Sequence, residues 1–111
     1  MESKISRFIG IDFGTDFSCV AVYQNGRPEV IVNDQGNRLT PSCIAFTEDT
    51  KLIGEEALNQ SVRNSLNTVT GWKDMLGKKF DSLSQYETKM KTFKIEKDAK
   101  DRPVVSVTWK G

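Results

Sequence analysis

Apolar and polar positions fall into two regimes along this chain. Phe8 to Ile11 is an apolar run and Ser18 to Tyr23 is a second one, rich in small and β-branched residues, with Asp12-Phe13-Gly14-Thr15-Asp16 between them. That order predicts strand, polar turn, strand. Asn25-Gly26 then separates Val20-Ala21-Val22-Tyr23 from Val30-Ile31-Val32. Both turn residues tolerate positive φ, which makes this the strongest short hairpin signal and predicts an antiparallel meander of three strands. A polar stretch, Asn33 to Arg38, gives way at Thr40-Pro41 to another strand-like run, Ser42 to Phe46, so the first unit closes near Pro41.

From Gly54 the period changes. Glu55-Glu56-Ala57-Leu58-Asn59-Gln60-Ser61-Val62 has helical composition, and Val69, Trp72, Met75 and Leu76 recur at three- and four-residue spacing, which predicts a further helix. Asp81 to Lys91 is polar and weakly amphipathic and is expected to be a third. Phe93 to Glu96 and Val104 to Trp109 read as strands around a turn-like Asp98 to Pro103. The last strand runs to the chain end with no polar cap or docking helix. Native chains manage such open edges, so the expectation is a stretch cut from a longer protein.

Composition narrows the chemistry. The 111 residues carry 16 Lys+Arg against 15 Asp+Glu, a net charge of +1. That balance lacks the clustered cationic excess by which nucleic acid or an anionic membrane is captured, and neither is expected as a partner. The chain has no histidine, which removes Ser-His-Asp and Cys-His nucleophile pairs and imidazole metal ligands. Cys19 and Cys43 show neither CxxC spacing nor the density of a disulfide framework, and read as small buried apolar residues. Met1 to Arg7 lead into too short an apolar stretch for a signal peptide or a membrane helix, so cytosol or nucleus is the expected compartment.

The turn Asp12-Phe13-Gly14-Thr15 is where chemistry is most concentrated. Gly14 allows close backbone approach, and successive N–H groups of Gly14, Thr15 and Asp16 can point into one concavity, an anion nest suited to phosphate. Asp12, at the strand end, can hold Mg²⁺ directly or through its waters. Read alone, the same four positions also fit an ordinary hairpin turn whose Asp and Thr bond their own backbone.

The surrounding blocks bear on that choice. Phe8-Ile9-Gly10-Ile11-Asp12-Phe13-Gly14-Thr15, Ser18 to Val22, Asn33-Asp34-Gln35-Gly36-Asn37-Arg38-Leu39-Thr40-Pro41-Ser42, Ile53 to Ala57, and Asn67-Thr68-Val69 with Leu76-Gly77-Lys78-Lys79-Phe80 resemble, in sequence and order, the start of the seventy-kilodalton heat-shock chaperones. The resemblance covers nearly the whole chain after Arg7. It implies an α/β protein of the actin-like, ribonuclease H-like ATPase fold, of which only part of the first lobe is present. Residues 1–41 would be the first strands of the inner subdomain with the first phosphate loop, and 42–111 most of the outer subdomain. By the same resemblance Asp12 matches the acidic residue near the magnesium, Gly14 and Thr15 match the first phosphate loop with Asp16 beside them, and Lys73 matches the lysine that reaches the γ-phosphate.

Function follows as an expectation of that resemblance. It is the ATP-binding and hydrolysing lobe of a stress-response chaperone, using ATP/ADP and Mg²⁺, whose nucleotide state controls the binding of unfolded or extended peptides by a domain beyond Gly111. J-domain co-chaperones and nucleotide-exchange factors are the implied partners, and the 111 residues alone are not expected to be catalytically competent. Two departures stand out: Thr70-Gly71-Trp72 before Lys73 differ from the family's usual pattern, and Asp16 stands where a second threonine is usual. A carboxylate about 5 Å from a phosphate oxygen repels it by roughly 3 kcal/mol at an effective dielectric of 20, unless it faces solvent or joins the Mg²⁺ shell. Asp16 thus keeps open an alternative, a divergent relative that binds nucleotide without hydrolysing it and acts as an exchange factor or structural partner.

Overall fold

The structure is a computed structural model that describes residues 8–111; Met1 to Arg7, read above as too short for a leader or a span, lie outside the described residues. The expected meander is present. Strands β1 (Phe8–Phe13), β2 (Phe17–Gln24) and β3 (Arg27–Ile31) pair antiparallel in that order, with Phe8 opposite Tyr23, Phe13 opposite Ser18 and Tyr23 opposite Pro28. Asn25 and Gly26 both take positive φ, 54° and 77°, the left-handed pair whose twist matches that of the flanking strands. After the polar loop a two-residue strand, β4 (Thr40–Pro41), returns to the start of β2, with Phe17 opposite Pro41 and Ser18 opposite Thr40. Because β1 occupies one side of β2, β4 and β3 share the other.

One residue later the chain enters a second sheet. Here β5 (Cys43–Phe46) lies between β6 (Lys51–Ile53) and β7 (Thr68–Thr70), both antiparallel to it. Alternation along β5 serves two layers. Cys43 and Ala45 are buried with Ala57 of helix α1 (Glu55–Asn59) and Leu52, while Ile44 joins the opposite layer with Val69, Trp72, Met75, Leu83 and Phe93. That second layer is closed by the hairpin β8 (Lys94–Lys97) and β9 (Pro103–Ser106), through Ile95, Val105 and Val107.

The region from Val69 to Leu76 is not the helix its spacing predicts. Val69 sits in β7 opposite Ile44, Gly71 breaks the path with φ 62°, and only Trp72–Met75 coil, as a single 3-10 turn. The i, i+3 repeat is real, but it brings a strand residue and a turn to one apolar layer. The third expected helix is shorter than 81–91: a 3-10 turn, Phe80–Ser82, precedes α2 (Gln85–Lys89). Strand β6 is an element the pattern did not suggest. Cys43 is buried as expected, which raises its thiol pKa, whereas Cys19 is only half-buried.

Burial is unequal across the molecule. The six most buried apolar residues, Cys43, Ala45, Ala57, Val69, Met75 and Phe93, all belong to the second sheet and its layers, while Phe8, Ile9 and Ile11 of β1 are 69%, 65% and 67% exposed. The radius of gyration is 17.6 Å, against about 13 Å for a compact chain of this length. Among the described residues no helix is long and apolar enough to cross a membrane.

Candidate functional site

The loop between β1 and β2 is held from below by groups far away in sequence. β1 ends at Phe13 opposite Ser18, so only Gly14, Thr15 and Asp16 span the gap. The turn is too tight for a side chain at its first position: a Cβ on Gly14 would lie 2.2 Å from the Phe17 carbonyl oxygen. Ser42, the residue between β4 and β5, supplies the fastening. Its hydroxyl donates to the Gly14 carbonyl at 2.8 Å and its backbone N–H donates to the Asp16 carbonyl at 2.8 Å. Ser18 Oγ lies 2.8 Å from Ser42 Oγ.

A second fastening comes from the 3-10 turn that carries Trp72 and Lys73. The Lys73 ammonium donates to the Phe13 carbonyl, across 60 positions of sequence, and lies 5.8 Å from the centre of the Phe13 ring. The rings of Trp72 and Phe13 pack 5.1 Å apart at 48°. Behind the loop these aromatics, with Ser18, Pro41, Ser42, Cys43 and Ile44, line a cavity of about 260 Å³. Gly71 and Lys91 support the turn from its other end, Lys91 Nζ donating to the Gly71 carbonyl at 3.4 Å.

All five residues singled out from the sequence therefore meet in one neighbourhood. Asp12, Gly14, Thr15 and Asp16 form the loop and its entry, and Lys73 reaches its base. Asp12, Thr15, Asp16 and Lys73 are exposed and Gly14 is partly covered. It is the carbonyl of Asp16 that the fold engages, leaving its carboxylate in the high-dielectric solvent where charge repulsion is weakest. Among the described residues no group of three or more His, Cys, Asp or Glu is placed to hold a metal ion. Asp12, exposed and in no ion pair among them, fits the single carboxylate that a water-rich Mg²⁺ on phosphates requires.

Ser42, Ser18 and the Phe13–Trp72 stack had no sequence signal as site residues, since each acts through a contact 24 to 59 positions away. Trp72 packs on Phe13, and the ammonium groups of Lys51 and Lys110 lie over the Trp109 ring, 4.6 and 4.7 Å from its centre. Lys78 pairs with Glu87 at 2.5 Å.

Comparison with known proteins gives a consistent picture. The family model described as Hsp70 protein matches residues 8–111. Heat shock cognate 70 kDa protein 3 of Dictyostelium discoideum is 48% identical over 105 residues, covering 93% of this chain and 17% of that protein. A heat shock 70 kDa protein of Trichophyton rubrum is also 48% identical, over 93% of this chain and 16% of its own length. A ribosome-associated molecular chaperone of Eremothecium gossypii is 45% identical over 111 residues, 99% of this chain and 18% of its own. The chain thus spans about a sixth of the length of these relatives.

Proposed function

The chain belongs to the Hsp70 family, and from that premise we propose that it is the part of a chaperone ATPase that receives nucleotide phosphates. Its sheets and short helices are a partial first lobe of the family's actin-like ATPase fold. Residues 1–41 are assigned to the inner subdomain and 42–111 to most of the outer one, a division supported by the change of sheet at Ser42. The observation that carries the reading is the meeting of Lys73 with the base of the Gly14–Asp16 loop.

Each residue then has a task. Backbone amides of the loop donate to phosphate oxygens, with Gly14 allowing the approach. Asp12 would hold Mg²⁺, directly or through its waters, and that ion, when bound, would neutralise phosphate charge. Lys73 keeps a positive charge at the loop without being consumed, and such a fixed cation favours the charge that develops on a transferring phosphoryl group, with water as nucleophile. Its ammonium is oriented by the Phe13 carbonyl and ring, so little reorganisation is needed. The ligands are ATP and ADP. In the whole protein, nucleotide state governs capture of unfolded peptide, with J-domain proteins and exchange factors as partners, in cytosol or nucleus. Every relative named above is a heat shock protein or a chaperone, which gives the non-hydrolysing alternative no support.

The test uses the longest natural chain that contains these residues. Lys73→Ala should lower ATP turnover by about 10² while Mg-ADP affinity measured by calorimetry changes little, and Asp12→Asn should weaken Mg-ADP binding. Turnover that survives in the lysine variant, or affinity and turnover unchanged in the aspartate variant, would remove these assignments.

A further inference from the structure

Ser42 does more than join two sheets. We propose that it is a positioning residue that sets the direction of the phosphate-loop amides, an inference that rests on the nucleotide reading above. The hydrogen count on its side chain fixes how the three serine and glycine groups are connected. A hydroxyl has one proton to give, and that of Ser42 goes to the Gly14 carbonyl at 2.8 Å. The contact of 2.8 Å with Ser18 Oγ must then be donated by Ser18. A chain of donation runs from Ser18 to Ser42 to Gly14, and beside it the Ser42 N–H holds the Asp16 carbonyl.

Peptide planarity converts these carbonyl contacts into a statement about donors. No peptide bond among the described residues is cis, so within each unit the C=O and the following N–H point in opposite directions. Tying the Gly14 carbonyl to Ser42 turns the Thr15 N–H away from Ser42. Tying the Asp16 carbonyl does the same for the Phe17 N–H. Both amides are thereby turned away from Ser42, that of Phe17 towards the β1 edge of β2, so that two backbone donors at the loop are held in fixed directions, as binding of an anion by backbone amides calls for. Gly14 is the residue that most needs this restraint, since a glycine backbone rotates at little steric cost. Without the hydroxyl, its carbonyl would turn to find another donor and carry the Thr15 amide with it.

Ser42→Ala, Ser42→Thr and Ser18→Ala, made in the longest natural chain containing these residues, test the idea through Mg-ADP and adenosine affinities measured by calorimetry. Ser42→Ala should weaken Mg-ADP about tenfold, the worth of one neutral hydrogen bond, and adenosine, which lacks phosphates, by less than about twofold. Ser42→Thr keeps the hydroxyl, and the adjoining cavity of about 260 Å³ has room for its methyl group, so most of the Mg-ADP affinity should return. Ser18→Ala leaves the bond to Gly14 in place and should weaken Mg-ADP by only about two- to threefold, again with adenosine unaffected; it serves where Ser42→Ala does not fold. Equal losses for Mg-ADP and adenosine, or an unchanged Mg-ADP affinity in Ser42→Ala, would overturn the proposal. Unmodified protein that binds no Mg-ADP would instead overturn the nucleotide reading beneath it, a result visible before any variant is compared.

Discussion

Gly14 carries no Cβ because there is no room for one: the nearest atom to the added carbon, 2.2 Å away, is backbone oxygen of Phe17. A side-chain neighbour would turn aside, but a carbonyl at the start of a paired strand moves only with the strand. Gly14→Ala should therefore lower stability by about 1–3 kcal/mol, read from urea midpoints. Gly10→Ala, in the same hairpin with nothing within 4 Å of its added carbon, should stay within about 0.5 kcal/mol of the parent. Equal effects at both positions would mean that the turn is not this tight. The loop's residues were legible because Asp-x-Gly-Thr is contiguous and lies between two apolar runs. Lys73 was not legible from the residues themselves, being one of many exposed lysines, and entered through the family resemblance. Ser42 was invisible at both levels, because its task depends on a contact 28 positions back.

At the scale of elements, the second helix shows how a sequence pattern can carry the wrong structure and the right packing. Val69 and Trp72 share an apolar layer with Met75 and Phe93, as helical spacing requires, yet Gly71 divides a strand from a 3-10 turn between them. Three-residue strands such as β6 and β7 are too short for alternation to register, and only pairing with β5 makes them strands. Helix α2 had a local signal that composition hid. Ser84 and Glu87 form a capping box, the Glu87 N–H donating to Ser84 Oγ at 3.1 Å and the Ser84 N–H to Glu87 Oε2 at 2.7 Å. The Lys78 ammonium bonded to its other oxygen, then the Ser84 contacts, hold the Glu87 carboxyl at a pKa of about 2, below the ordinary 4.5. A lowered folded value means that this support is complete above about pH 4.5 and fades as pH falls towards 2. The Glu87 side-chain carbon followed by NMR should titrate well below 4.5, moving towards it in 1 M salt because the pair is solvent-exposed. Ser84→Ala should cost about 1 kcal/mol and speed amide exchange across Gln85–Lys89. A Glu87 that titrates normally would show that the box is not formed.

Taken whole, the molecule is two unequal bodies of order on one chain. The second sheet is layered on both faces, whereas the first presents Phe8, Ile9, Ile11, Val30 and Ile31 to water. Apolar faces cover one another in the second sheet and are left uncovered in the first. The pattern could say that β1 to β3 have faces to bury, but not whether these 111 residues include anything to bury them against. Local stability should divide accordingly. In the 111-residue chain, amides of Ile9, Ile11 and Val22 should exchange at least about tenfold faster than those of Ile44 and Val69, and uniform protection would contradict the division. The crossing at Ser42 also sets an order in time. The β1–β2 hairpin joins neighbours in sequence and can close early, on a timescale of microseconds. Its loop cannot take final shape then, because the residue that ties Gly14 arrives only after the chain has run through β3 and the polar turn to β4. Loop closure over such a separation comes later. The hairpin would thus fold around an unfinished tip, and the geometry of that tip would be among the last features the first unit acquires, so that a kinetic probe placed on Thr15 would report its completion where one placed on β2 would report only its beginning.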